Sequence, residues 1–471
     1  MSTPASSPTA LTASARSQRN LSFAAILAAL LLTALDQNLV GTALPRIADE
    51  LGGVHLYAWV ISGYLLTSTI AVPIAGKLGD LYGRKVILLL GIGILAGGGT
   101  LASLGNSMAA ILATRALQGI GGGFLQASAF ATIGDLLAPS ERGRYTGLFS
   151  AVYAFATMVG PLIGGLITDH AGWRWVFLID LPLGIIASLA ILRGLPPSKA
   201  RSSEATFDWL GTITFIGTIL PILLAFPSGK AETPGILAML RIPLILLALV
   251  MFAVFLTVEK RSAEPLVPLH LFRLPVFPVA IAVMFLSGGG LYAVASFVPL
   301  YVQNVLGKTV TQAGLTFVPM MLMLVVGNIV GGQWLSRKGS YRVPCVVGMS
   351  IATVGLFVIS RLDANSTLGH VAVCLGILGM GLGVTMPMLS IAAQNAVEHR
   401  YLGVATSMAQ FARTLAGSLS VASFGVVLNA RMDRGMAVAL ADVFLTAAAI
   451  VAIATLVATQ LRDIPLRKTN T

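Results

Sequence analysis

Residues 21–45, LSFAAILAALLLTALDQNLVGTALP, form the apolar stretch on which the fold of this chain depends. No charged side chain lies between Leu21 and Leu35, and Asp36 is the only acid of the stretch. A helix of about 20 residues crosses the roughly 30 Å hydrocarbon core of a bilayer. A carboxylate inside such a helix is costly unless it is protonated, paired or in contact with water. The stretch therefore predicts a transmembrane helix that either tolerates Asp36 or uses it.

The composition of the whole chain favours an integral membrane protein. Of 471 residues, 56% are hydrophobic and only 10% are charged, and the mean hydropathy is +0.88. Soluble domains carry about a quarter charged residues. The apolar runs are also much longer than the alternating strands of about 10 residues that build membrane β-barrels. We therefore expect an all-α polytopic membrane protein.

Apolar runs and the linkers between them predict fourteen transmembrane helices in two bundles of six with an inserted helix pair. We expect no charged residue in the membrane part of the inserted pair. The predicted organisation is a cytoplasmic tail (1–20), an N-terminal six-helix bundle (21–193), a linker with two extra transmembrane helices (194–273), a C-terminal six-helix bundle (274–461) and a second cytoplasmic tail (462–471).

Charge placement predicts the orientation of the chain. Lys and Arg are concentrated in alternate loops, so the positive-inside rule places both termini in the cytoplasm. The net charge of +12 lies in these short loops rather than in a basic stripe with aromatic residues, which argues against nucleic acid as a partner. The two cysteines, Cys345 and Cys374, lie in apolar runs and cannot form a metal site alone.

An internal repeat supports two related halves. Gly76 and Gly83 follow the second apolar run, and Gly332 and Gly339 follow the second run of the last six, 256 residues later in both cases. This interval leaves room for six helices and one inserted pair. Secondary transporters are commonly built from two repeated halves with a binding site between them near the bilayer midplane.

Five sequence motifs resemble those of the major facilitator superfamily, in particular its fourteen-span drug:proton antiporter branch. They are GKLGDLYGRK at residues 76–85, LATRALQGIGG at 112–122, GPLIGG at 160–165, LDQNLVGTALP at 35–45 and WRWVF at 173–177. The resemblance covers essentially the whole chain. It implies the major facilitator fold and transport by alternating access.

The motif at 76–85 is expected to be a short inside loop that acts as a conformational latch, formed by Gly76, Asp80, Gly83, Arg84 and Lys85. The glycines allow a tight turn, and Asp80 can accept hydrogen bonds from the N-terminus of a neighbouring helix. The alternative is a charge cluster that only fixes the topology of the chain.

Three charged residues within predicted spans are candidates for proton coupling: Asp36, Arg115 and Asp180. Burial disfavours a charged carboxyl, so Asp36 can carry a proton when closed from water and release it when opened. Arg115 cannot shed its charge and must be paired or near water. The alternatives are a permanently neutral acid at Asp36, an arginine that reaches the interface at Arg115, and a solvated acid at Asp180.

The resemblance assigns an antiporter motif to Gly160, Pro161, Gly164 and Gly165, whose small residues and proline favour a tight, kinked helix contact. A role in packing alone is the alternative. Polar, aromatic and methionine side chains within or near the spans are predicted to line a substrate pocket, as a set more than individually. These are Asn38, Gln126, Tyr153, Tyr292, Gln303, Met320, Asn328, Met386, Gln394, Gln410 and Arg413.

The sequence therefore predicts a proton-coupled exporter of small hydrophobic or cationic compounds in the inner membrane, working as a monomer with the lipid bilayer, protons and a small-molecule substrate as partners. No nucleotide-binding loop G-x-x-x-x-G-K-[ST] and no hydrolase or metalloprotease motif is present, so we expect neither an enzyme nor a cofactor or metal. One alternative is the export of a dedicated metabolite or lipid. The other is a sensor or scaffold that has the transporter fold but does not transport.

Overall fold

The computed structural model describes residues 13–52, 56–136, 139–196, 207–225 and 235–465. Within these ranges the chain is helical and contains no strand. The predicted tails fall partly, and the polar segment 197–206 wholly, outside the described residues.

The helices of the first half are α1 (Ala13–Leu51), α2 (Tyr57–Tyr82), α3 (Arg84–Ser103), α4 (Met108–Leu136), α5 (Pro139–His170), α6 (Arg174–Leu178) and α7 (Asp180–Gly194). The inserted pair consists of α8 (Trp209–Ala225) and α9 (Gly235–Arg261). The helices of the second half are α10 (Phe277–Asn304), α11 (Val310–Leu315), α12 (Val318–Lys338), α13 (Arg342–Ile359), α14 (Leu368–Asn395), α15 (Leu402–Arg431) and α16 (Met436–Ala458).

Twelve helical segments among the described residues are long and apolar enough to cross a membrane, and α6–α7 and α11–α12 each count as one of them. The two further spans expected from the sequence correspond to α5 and α8. Helix α8 has 17 residues, at the short end of the range for a spanning helix. The chain is thus a multi-pass membrane protein, and the number fourteen stays a prediction.

Helix packing repeats between the two halves. In the first half α2 and α3 pack on α4, while α1 packs on α5 and α7. In the second half α12 and α13 pack on α14, while α10 packs on α15 and α16. The halves meet where α2 and α4 contact α15 and where α5 contacts α12. Helices α8 and α9 pack mainly on each other, with a smaller contact to α2.

One face of the molecule, here called the proximal face, carries the start of α1 and the ends of α2 and α16. Hydrogen bonds connect the helix ends there: Lys85 Nζ at the start of α3 donates to the Leu192 carbonyl of α7 at 2.7 Å. Tyr341 Oη before α13 donates to the Arg462 carbonyl after α16 at 2.9 Å. The opposite face, where α1 ends and α4 begins, is called the distal face.

The segment 76–85 is not the loop that we expected. Helix α2 continues to Tyr82 and α3 starts at Arg84, so Gly83 alone separates them. Gly83 has a φ of +93°, a backbone conformation that favours glycine, and its N–H donates to the Gly79 carbonyl at 3.1 Å. Gly339 in the repeated position also has positive φ, +65°, where α12 ends. The loop prediction was wrong because one glycine suffices to turn the chain.

The second helix of the inserted pair extends beyond the end expected from the sequence and includes an acid that we expected in the linker. Helix α9 continues through Glu259, Lys260 and Arg261, because these residues favour helix and no proline follows until Pro265. The predicted linker therefore begins too early. Glu259 lies within the apolar segment Met239–Arg261 and is only 3% exposed.

Candidate functional site

A buried charge cluster, defined here as Asp36, Arg115, Gln118 and Asp180, joins three helices of the first half. Arg115 Nη1 of α4 donates to both carboxylate oxygens of Asp36 on α1, at 2.8 and 2.9 Å. Gln118 Nε2 donates to Asp36 Oδ1 at 3.0 Å and to Asp180 Oδ2 at 2.9 Å. One amide nitrogen thus holds two carboxyl groups that lie 144 residues apart in sequence, at positions 36 and 180.

Local sequence explains this geometry. Arg115 and Gln118 are three residues apart and therefore lie on one face of α4, where Gln118 Oε1 also accepts from Arg115 Nη1 at 3.0 Å. Asp180 is the first residue of α7. Gly99 of α3 lets the helices come close, since a Cβ there would lie 2.8 Å from both Asp180 Oδ2 and the Phe177 carbonyl oxygen.

Tyr64 and Gln37 complete the surroundings of the cluster. The Arg115 guanidinium carbon lies 4.4 Å from the centre of the Tyr64 ring, a cation–π contact. Gln37 Nε2 donates to the Tyr64 hydroxyl at 3.3 Å. In the sequence Gln118 is one residue of a motif, and Tyr64 is not among the predicted site residues. The spacing of Gln118 from Arg115 is the one signal that could have indicated its role.

The cluster contains one permanent cation and two carboxyl groups in a place closed from water. Asp36 and Asp180 are each 1% exposed, and Arg115 is 3% exposed. Two ionised carboxylates against one guanidinium would leave a net negative charge where charge is poorly solvated. A single proton on either carboxyl makes the cluster neutral. The arrangement is therefore chemically suited to hold and release one proton.

The latch residues connect the two halves at the proximal face. Asp80 forms an ion pair with Arg84, and its Oδ2 accepts a hydrogen bond from the backbone N–H of Val404 at 3.1 Å. Val404 lies in the first turn of α15, whose free N–H groups favour an anion. Arg84 Nε also donates to Asp135 Oδ2 of α4 at 3.1 Å. Asp80 thus links the two halves by accepting a hydrogen bond from the first turn of α15.

Glycines bring the helices of the latch into close contact. A Cβ on Gly76 would overlap the Ser407 side chain and lie 3.0 Å from the Gly403 carbonyl oxygen. A Cβ on Gly403 would overlap the side chains of Asp80 and Arg84. Lys85 instead binds within the first half, to the carbonyls of Leu192 and Leu195 at the end of α7. A larger residue at Gly76 or Gly403 would therefore separate α2 from α15.

The antiporter motif packs α5 on α1. A Cβ on Gly160 would lie 2.6 Å from Asn38 Cβ, and one on Gly164 would overlap Thr42 and lie 2.9 Å from the Leu39 carbonyl oxygen. Gly165 has open space on its Cα. Pro161 lies within α5, and its side chain is outside the described part. Gly160 and Gly164 therefore form the close contact, against residues of α1 that lie within two helical turns of Asp36.

Several predicted pocket residues come together where the two halves face each other. Gln126 Nε2 of α4 donates to the Tyr153 hydroxyl of α5 at 3.1 Å. The Arg413 guanidinium of α15 is close enough to Tyr153 to interact with it electrostatically, and so is Tyr292 of α10. Among the described residues Arg413 forms no ion pair, and its buried Nε has no hydrogen-bond partner.

A small cavity lies between this group and the latch. Its lining includes Phe130 of α4, Gln394 of α14 and Gln410 of α15. Gln394 Nε2 donates to Thr406 Oγ1 at 2.9 Å, whereas the buried Nε2 of Gln410 has no partner. The polar lining of this cavity thus comes from α14 and α15 of the second half, and apolar residues of α4 close it on the other side.

The other predicted pocket residues have the following positions in the fold. Asn38 Nδ2 donates to the carbonyl of Ala34 in its own helix at 2.7 Å. The Met320 backbone packs against Gly379, in the contact between α12 and α14. Gln303 is next to the last residue of α10, at the distal face. Asn328 is buried in α12 and Met386 half-buried in α14.

The fold and the charge cluster together define a class: a helical multi-pass membrane protein of two similarly packed halves, with a titratable buried site in one of them. Residues 26–421 match the family model of the Major Facilitator Superfamily. The chain belongs to this family of transporters. The family resemblance read from the sequence motifs is therefore confirmed, and so is the all-α multi-pass fold.

Its relatives include proteins named for multidrug transport, multidrug resistance and the export of an antibiotic. The chain is 35% identical over 416 residues to the multidrug transporter protein MdtP of Bacillus subtilis, covering 88% of this chain and 76% of that protein. It is 33% identical to multidrug resistance protein 3 of the same organism, covering 85% and 78%. The tetracenomycin C resistance and export protein of Streptomyces glaucescens is 32% identical, with 87% and 76% covered.

A solved structure shares the fold. The human organic anion transporter MFSD10 superposes with a TM-score of 0.67 over 93% of this chain and 99% of that one. Its sequence identity is 17%, so the likeness concerns the fold alone.

Proposed function

We propose that this protein exports small hydrophobic compounds, cationic ones among them, in exchange for protons by alternating access of the two halves. The observation that carries the proposal is the shared amide of Gln118, which holds Asp36 and Asp180 beside the single cation Arg115. The names of the relatives MdtP and multidrug resistance protein 3 support multidrug export.

Proton exchange follows from the charges of the cluster. When the site is closed, neutrality requires one proton for two carboxyls and one guanidinium. When the site opens to water, a carboxylate can be solvated and the proton can leave. Gln118 keeps the two carboxyls together in both states, so the proton can reside on either of them. The site thus binds a proton on one side of the membrane and releases it on the other.

The latch supplies the conformational part of the cycle. Asp80 must lose its hydrogen bond to Val404 before α2 and α15 can separate at the proximal face. In transport by alternating access, protonation of the charge cluster and opening of the charged contact between the halves must be coupled. We place the proximal face in the cytoplasm, with both termini inside, because the basic loops lie on that side.

The position of Arg413 favours acidic compounds as a second class of substrate. It is a cation without an ion pair in the described structure, near the polar groups of Tyr153 and Tyr292. A cation within a membrane span commonly faces a substrate path, and a guanidinium binds carboxylates in a two-pronged geometry. Export of a dedicated acidic compound is therefore the second candidate function.

We further propose that the protein resides in the inner membrane, works as a monomer and uses the proton gradient without any cofactor. The test is purified protein in proteoliposomes with an imposed pH gradient. The probes are ethidium as a cation, a fluorescent dye with a free carboxyl group, and the neutral methyl ester of that dye.

Movement of at least one probe that requires the pH gradient and is abolished in Asp36→Asn supports the proposal. The exposed acid Glu50 provides the control variant Glu50→Gln, which should transport like the wild type. Transport of Asp36→Asn at the wild-type rate would exclude the proton cluster as the coupling site. The absence of flux with all three probes, in a protein that unfolds cooperatively, would favour the sensor or scaffold alternative.

A further inference from the structure

A second pair of carboxyl groups, one half-buried (Asp208) and one buried (Glu259), belongs to the inserted helix pair, far in sequence from the charge cluster. Asp208 immediately precedes α8, and its Oδ1 accepts a hydrogen bond from the Gly211 backbone N–H at 2.7 Å. Glu259 is near the end of α9, and its Oε2 accepts from the Val267 backbone N–H at 3.3 Å. Each carboxyl group thus has one oxygen that a backbone donor satisfies.

The other oxygen of each carboxyl group has no partner. Asp208 Oδ2 and Glu259 Oε1 are both buried without a hydrogen bond. Both face Gly211: a Cβ built there would lie 2.5 Å from Asp208 Oδ2 and 2.9 Å from Glu259 Oε1. The two orphan oxygens therefore lie close together, beside a residue that has no side chain to fill the space between them.

The charged groups around this pair do not neutralise it. Lys77 of α2 is 2% exposed and forms its ion pair with Glu264 at 2.8 Å instead. Lys77 and Asp208 both act electrostatically on Glu259. On α9 itself, Lys260 and Arg261 are exposed to the surroundings. The group thus contains three acids, Asp208, Glu259 and Glu264, and one buried lysine, which leaves an excess of negative charge.

Two ionised carboxylates whose buried, unpaired oxygens flank the same glycine repel, and each oxygen lacks a donor. One proton removes both problems, because a protonated carboxyl donates a hydrogen bond to the ionised one. We propose that Asp208 and Glu259 share one exchangeable proton and form a second proton-binding site, separate from the charge cluster.

The site has a physical connection to the latch. Lys77 follows Gly76, whose Cα packs against Ser407 of the second half, and precedes Asp80 by less than one helical turn. Gain or loss of the shared proton changes the charge that Lys77 experiences. The inserted helix pair is thereby placed to sense proton concentration at the proximal face, whatever compound the protein carries.

Infrared spectroscopy of the purified protein in lipid nanodiscs tests the site without any transport substrate. The measurement is the difference spectrum between acidic and alkaline pH in the C=O stretching region of protonated carboxyls. Glu259→Gln should remove one band that the wild type shows. The band of the charge cluster should stay, and Glu50→Gln, at an exposed acid paired with Arg174, should keep the band that Glu259→Gln removes.

Asp208→Asn is a second variant in case Glu259→Gln does not fold. It replaces the acceptor of the shared proton by an amide, so the Glu259 band should move in frequency rather than vanish. Spectra of both variants that superpose on the wild type would overturn the proposal. So would a band that emerges only when choline replaces Na⁺ in the buffer, since the pair would then be a sodium site.

Discussion

Asp80 Oδ2 accepts the backbone N–H of Val404 at 3.1 Å, and this hydrogen bond spans 324 residues between the two halves of the protein. The same carboxylate forms an ion pair with Arg84. The acid therefore stabilises the turn between α2 and α3 and, at once, the contact of α2 with α15. A change at this one side chain should loosen both.

Asp80→Asn should leave a folded protein that transports at least about tenfold more slowly, because an amide loses the charge-assisted contact to the α15 N-terminus. The proximal contact should also open more often. A cysteine at Ser407, buried against Gly76 in the wild type, would report this as faster labelling by a thiol reagent.

Asp135→Asn is the matched control, since Asp135 also binds Arg84 but belongs to α4, whereas the Val404 N–H donates to Asp80. The labelling rate of Asp135→Asn should exceed that of the wild type by less than half the increase seen in Asp80→Asn. Equal labelling rates in the two variants would mean that Asp80 acts through Arg84 alone and not through α15.

Gly76→Ala should destabilise the contact between α2 and α15 by about 1–3 kcal/mol, the usual cost of overpacking. The added Cβ would overlap the Ser407 side chain. Removing that side chain in the double variant Gly76→Ala with Ser407→Gly should restore most of the loss. The checks are the thermal unfolding midpoint in detergent and the initial transport rate.

Gly97→Ala in α3 serves as the control, because a Cβ there meets nothing within 4 Å. Its unfolding midpoint should equal or exceed that of the wild type, since alanine favours helix over glycine. A failure of Ser407→Gly to rescue Gly76→Ala would place the strain on the Gly403 carbonyl instead.

The positions of the apolar helices and the repeat of Gly83 in Gly339 could be derived from sequence, because helix length and glycine conformation are local properties. The contacts between side chains of different helices could not be derived from the sequence. Gln118 is a neutral amide in a glycine-rich motif, and its role exists only because α1 and α7 each bring a carboxyl to it. In the sequence Glu259 stands at the start of a polar stretch. In the structure α9 continues through it, and its side chain is buried.

Arg413→Gln should discriminate between substrates rather than reduce all transport. We expect about tenfold slower export of the dye with a free carboxyl group and little change for its methyl ester, since only the acid can pair with the guanidinium. Arg434→Gln, at an exposed residue of the distal face, should affect neither. Equal losses for acid and ester would assign Arg413 to helix packing.

The charge cluster makes a prediction about stability that does not require a substrate. Asp36→Asn or Asp180→Asn alone leaves one carboxylate to balance Arg115, so each single variant should unfold at nearly the wild-type temperature. The double variant leaves a buried guanidinium without an anion, which should cost about 3–5 kcal/mol.

Adding Arg115→Gln to the double variant removes the uncompensated charge and should recover most of that loss. The measurement is the thermal unfolding midpoint of all five proteins, wild type included, in the same detergent at neutral pH. Additive effects of the two aspartate substitutions, with no recovery in the triple variant, would show that the acids contribute through packing. A large loss in Asp180→Asn alone would instead mean that Asp180 stays ionised, and that the cluster holds no proton to exchange.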